Sequence, residues 1–144
     1  MSTYITANVI SGITHLCSLS IHNIYSTTEY IINGSHPDIS NKIENIDIIN
    51  KIKIIEAFIT ECSTNNKFNN KESIKLSIDS IHTLIIKINI ELNLIKDECD
   101  YHKTKYFNYW RTPNCETNLS NVLNYSKILD SRLQLLRELI NMIN

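Results

Sequence analysis

Histidine, cysteine, aspartate and glutamate are the side chains most able to do chemistry, and in this 144-residue chain their spacing suits it poorly. A di-metal site in a helical bundle needs two Glu-x-x-His pairs on facing helices and two further glutamates. The nearest spacings are Asp79 to His82 and Glu98 to His102, and neither repeats. His15 and His22 share one helical face and could hold a metal only with outside help, so a surface or capping role explains them better. Cys17, Cys62, Cys99 and Cys115 form no C-x-x-C pair, and the first three fall on or near the apolar side of helical segments. They read as reduced structural thiols of an intracellular protein. With only Gly12 and Gly34 there is no phosphate-cradling loop, and neither G-x-S-x-G nor H-E-x-x-H occurs. The chain therefore reads as non-enzymatic, with no catalytic residue, metal site, cofactor or small-molecule substrate to assign.

One local anomaly remains. Five of the eleven aromatic residues lie between 101 and 110: Tyr101, Tyr106, Phe107, Tyr109 and Trp110. His102, Lys103, Lys105 and Arg111 are interleaved with them, and no acidic residue occurs from 101 to 115. Aromatic rings with arginine are what interface centres favour, because they give large contact area at low entropic cost. The candidate interaction residues are Tyr101, His102, Lys103, Lys105, Phe107, Trp110 and Arg111. The competing explanation is that Tyr106, Tyr109 and Trp110 pack the end of a helical hairpin, and both stand at this point. A nucleic-acid surface with stacked bases is the alternative use of the same residues, but four potential cations supply little charge for it.

Those residues sit at the end of the strongest pattern in the chain. Ile74, Ile78, Ile81, Ile85, Ile88, Leu92, Ile95, Cys99, His102, Tyr106 and Tyr109 alternate by four and three, which is helical spacing. Asn69 with Glu72 reads as a capping box, and Thr112-Pro113 closes the segment. The spacing predicts a helix over about 70–111, on the order of 60 Å long. A second heptad, Leu119, Val122, Ser126, Leu129, Leu133, Leu136, Ile140 and Ile143, predicts a helix over about 114–143. A tight Thr112-Pro113-Asn114 corner makes the two antiparallel, placing Leu133 and Leu136 opposite roughly residues 88–92, in one core with Ile85 and Leu92.

Two further helices complete the set. Ile48, Ile52, Ile55, Ile59 and Cys62 mark the seam of a helix over about 38–62, followed by a loop at 65–70. Ile10, Ile13, Cys17, Ile21, Ile24, Thr28 and Ile31 mark one over about 4–32, ended by Gly34 and Pro37. The expected fold is all-α: a single domain, 1–144, forming an elongated antiparallel four-helix bundle. Between Leu84 and Ile95 the third helix is apolar nearly all round and should be enclosed on several sides. Beyond it the charged residues Asp97, Glu98, Asp100, Lys103 and Lys105 leave only one seam. That contrast predicts a projecting, coiled-coil-like two-helix stem over roughly 97–127, with the aromatic cluster at its tip. A second candidate surface is the outer face of the first helix, since Glu29 is the only charged residue in positions 1–37.

Composition sets the outer bounds. The net charge of −1 excludes a global polycation for nucleic acid or anionic membrane. No apolar run approaches the ~18 residues of a membrane span, and nothing resembles a secretory signal. The expected location is thus intracellular or within a virion. The chain has 27 Ile and 19 Asn against 2 Ala and 3 Arg, which is codon usage rather than folding, since no propensity favours Ile over Ala in helices. That bias explains the neutral outer face of the first helix more simply than a contact does. It resembles the composition of proteins from AT-rich genomes, large DNA viruses among them. The expected function is binding of a protein partner or self-association, as a structural virion component or a host-interaction factor.

Overall fold

The computed structural model describes residues 2–104 and 113–143, with side chains from residue 16 onward within those spans. The described chain is all-helical: α1 (Ser2–Gly34), α2 (Pro37–Ile46), α3 (Ile48–Thr64), α4 (Glu72–Lys103) and α5 (Glu116–Ile143). α1 is one continuous helix, and it stops where Gly34 and Pro37 predict. Ser35 and Ser40 turn their hydroxyls onto the last carbonyls of α1, at Ile31 and Ile32. His36 then accepts the Asp38 N–H on its imidazole at 3.2 Å and starts α2 with Pro37 in the first turn.

The helix expected over 38–62 is two helices, broken at Asp47. Ile39 and Ile43 are the buried positions of α2, and Ile48, Ile52, Ile55, Ile59 and Cys62 those of α3. The step from Ile43 to Ile48 is five residues, which an unbroken helix would rotate well off the core-facing side. Asp47 absorbs the extra residue in the left-handed region, at φ 52° and ψ 44°. Its carboxylate accepts a hydrogen bond from the Asn50 amide at 2.9 Å. A β-branched side chain tolerates this backbone far worse than aspartate does. Asp47→Ile is expected to destabilise the fold by roughly 1–2 kcal/mol, measurable as a lower urea midpoint at unchanged slope.

α4 begins at Glu72 without a side-chain cap, so the expected capping box does not form. Asn65 instead organises its own turn. Its side chain accepts the Lys67 N–H at 2.9 Å, and its carbonyl accepts the N–H groups of Phe68 and Asn69 at 3.0 and 3.1 Å. Phe68 is buried and holds that turn against the core. The expected helix over 70–111 is unbroken across Glu72–Lys103. It ends there rather than at 111: Thr104 is its C-cap, and the Thr104 N–H and hydroxyl both turn back onto the Tyr101 carbonyl. Tyr106 and Tyr109, which continue the expected seam, lie outside the described residues.

The rods run up, down, up, down. Thr27 meets Asn93 and Tyr30 meets Asp100, so α1 lies parallel to α4. Lys51 reaches Ser126 and Asp130 while Arg137 covers Phe58, so α3 lies parallel to α5. Glu91 accepts hydrogen bonds from Asn118 at 2.9 Å and Asn121 at 3.3 Å, fixing the antiparallel register of α4 and α5. Ile85, Leu92, Leu133 and Leu136 do share one core. Their expected pairing is corrected, however: Leu133 lies twelve residues beyond Asn121 and therefore opposite the region of Asp79. The register follows the polar clasp at Glu91, not the Thr112-Pro113-Asn114 corner.

The described part of the stem is flanked rather than bare. Tyr30, at the end of α1, gives its hydroxyl hydrogen to Asp100, and its ring carries Lys96 and Lys103 at 4.8 and 5.0 Å. A Cβ added at Gly34 would lie 3.3 Å from Lys103 Nζ. α1, at 33 residues, is as long as the 32-residue α4 and runs beside it to the C-terminal end of α4, so the expected two-helix stem has a third helix along its described part.

Candidate functional site

The outward face of α4 departs from the enclosed stretch that the sequence suggested. Leu84, Ile85, Ile88, Leu92 and Ile95 are buried, but Ile90 is 53% exposed and Leu94 47%. Both lie about half a helical turn from the seam, facing away from α1 and α5 together. Seven residues beyond Leu94, on the same line of the helix, Tyr101 is 55% exposed. The row thus points along α4, past Asp97 and Glu98, toward Tyr101 at the start of the aromatic and cationic cluster.

Of that cluster, Tyr101 and Lys103 are exposed and His102 is half-buried. Lys105, Phe107, Trp110 and Arg111 lie outside the described residues. Tyr30 belongs with the cluster although sequence reading missed it. Only the parallel packing of α1 on α4 brings it there, and that register has no local signal. The hydrogen bond from Tyr30 holds the Asp100 carboxyl below its usual range and pushes the Tyr30 phenol up. Asp97, Glu98 and Asp100 lie between Lys96 and Lys103, so the described part of this surface is mixed in charge, a poor electrostatic match for a phosphate backbone.

Cys99 and Cys115 meet at the base of the cluster. Both are buried, and a hydrogen bond between the thiols lowers the Cys99 pKa and raises that of Cys115. His22 is exposed, and the side chain of His15 is outside the described residues. Among the described residues no three His, Cys, Asp or Glu side chains are placed to hold a metal, and no helix is long and apolar enough to cross a membrane.

A second feature lies at the opposite end of the bundle. A cleft of about 430 Å³ opens between α1, α3 and α4 and is walled by Ile21, Ile59, Cys62, Phe68, Ile78 and Ile85. Cys17 also lines it, and burial pushes that thiol up to about 12, leaving it protonated and a poor nucleophile. His82 and Asn69 face the same cleft. His82 Nδ1 and Asn69 Oδ1 are buried atoms with no hydrogen-bond partner, a state that costs about 1–3 kcal/mol each.

Burial lowers the His82 pKa, and Asp79 opposes this in part. The unfolded chain therefore takes up the His82 proton first as pH falls, and stability drops from about 6.5 down toward the depressed folded value. The urea midpoint is expected to fall between pH 7.5 and 5.5, and His82→Leu should flatten that slope. Asp79 acts in the opposite sense lower down. Burial raises its pKa, so protonation there restores stability.

No family model matches the chain, and no solved structure matches it. The chain is similar to the uncharacterized protein L717 of Acanthamoeba polyphaga mimivirus, at 22% identity over 143 residues covering 82% of this chain and 69% of that protein. The similarity is to a viral protein whose name assigns no activity.

Proposed function

We propose that this chain is a non-enzymatic helical-bundle protein that works by binding another protein. Its contact surface is the outward face of α4 together with the aromatic and cationic cluster that follows it. The observation that carries this reading is the row of Ile90, Leu94 and Tyr101, three large side chains exposed on one helical line. Large apolar side chains exposed in line on a rigid element, here with Asp97 and Glu98 in the turn between Leu94 and Tyr101, mark a contact surface or an aggregation liability. The AT-driven composition and the viral relative fit a small virion component or a host-interaction factor of a large DNA virus.

Sedimentation equilibrium of the wild-type chain tells whether the partner is a second copy. Capture from host cells with the Ile90→Glu/Leu94→Glu variant, and with Leu123→Glu on α5 as control, tests the surface. Both variants should keep wild-type helicity. The double variant should lose the partner, or the dimer, by at least about tenfold in affinity, while the control keeps it. Equal binding by all three would reject the α4 face.

A further inference from the structure

We propose that the cleft between α1, α3 and α4 binds a small, uncharged, largely hydrocarbon molecule that donates an N–H or O–H hydrogen bond to His82. Three observations converge on this. The cleft is of ligand size, at about 430 Å³, and most of its wall surface is apolar, with Ser18, Thr60, Ser63 and Thr64 among the polar residues along it. His82 lines the cleft, is only 8% exposed, and has a buried Nδ1 with no hydrogen-bond partner, which accepts when the ring proton is on Nε2. Asn69 Oδ1 is a buried carbonyl oxygen that is equally unpartnered, so two of the polar side chains lining the cleft have unused accepting capacity.

The electrostatics narrow the ligand class. Among the described residues Glu56 and Asp79 line the cleft beside one lysine, Lys75, which disfavours an anion. The apolar walls disfavour a cation that would have to shed its water. What remains is a neutral apolar body with one donor, held by the acceptors that the fold leaves unsatisfied. The site is independent of the α4 contact row, which leads to the far end of the bundle.

Indole and indene test this directly, since they share shape and differ by an N–H against a CH₂. In NMR titrations of the full chain, indole should bind at the cleft at least about tenfold more tightly than indene. His82→Leu, similar in volume, should bring that preference below about twofold while the melting temperature stays at or above the wild-type value. If His82→Leu lowers melting instead, His82→Met replaces it with the same expectation. Failure of both probes to bind would mean that the cleft holds water only and would overturn the proposal. Equal affinities, shifts mapping elsewhere, or a preference surviving loss of the imidazole would overturn it too.

Discussion

Leu92→Ala is expected to lower the unfolding free energy by about 2–5 kcal/mol, the range for truncating a fully buried leucine. Leu92 is 0% exposed. It lies one residue from Glu91, whose clasp on Asn118 and Asn121 holds α5 against this turn of α4. The level of Leu92 also carries Leu119 and Val122, both buried, while α1 closes the other side through Thr27 and Asn93. With helices held on both sides, the site has little freedom to collapse, so the cavity term should be felt. Leu94→Ala, two residues away but facing outward, should stay within about 0.5 kcal/mol of wild type. The pair is best compared by urea unfolding at one pH. A Leu92 loss below about 1 kcal/mol would mean that α1 and α5 do not close over α4 at this level.

The contrast between Leu92 and Leu94 also shows what the sequence could convey. The α4 seam from Ile74 through Cys99 was legible because its side chains repeat at helical spacing and the helix has no reason to stop. The α5 seam was legible too, including Ser126, a polar residue in a core position. Its place is explained by Lys51 Nζ, which lies 2.7 Å from its hydroxyl and 3.0 Å from Asp130. The outward face of α4 was not legible. Isoleucine is the default apolar residue of this chain, so Ile90 and Leu94 could not be told from core residues by type. The break at Asp47 had a local signal, the five-residue step from Ile43 to Ile48, although aspartate is only an occasional left-handed residue. The pairing of α4 with α5 had none. A heptad fixes which face is buried but not which heptad of the partner it meets, and three polar residues, Glu91, Asn118 and Asn121, set that choice. The cleft was equally hidden, because His82 reads as one more residue of an apolar helix until Asn69 and Phe68 are folded beside it.

Changing Trp110 and Arg111 to Ala together is expected to weaken partner binding by at least about 2 kcal/mol, roughly thirtyfold, with helicity and melting nearly unchanged. The argument starts from composition: Trp110 is the only tryptophan, and it stands in a run with five aromatics, four potential cations and no acid. Trp and Arg are the residues whose truncation costs most at interfaces. Both lie outside the described residues, but their neighbours in the cluster are placed. Tyr101 is exposed at the end of the α4 row, and Tyr30 brings a second ring beside Lys103 from α1. A partner seated on Ile90 and Leu94 would therefore meet aromatic and cationic side chains as it followed α4 toward the cluster. The measurement is the dimer dissociation constant if the partner is a second copy, or titration against the captured protein if it is not. Loss of folding in the double variant would make those side chains core, as the hairpin-packing explanation holds. Unchanged folding with unchanged binding would move the contact to α1, where Leu16 and Leu19 are exposed on the helix with the neutral outer face.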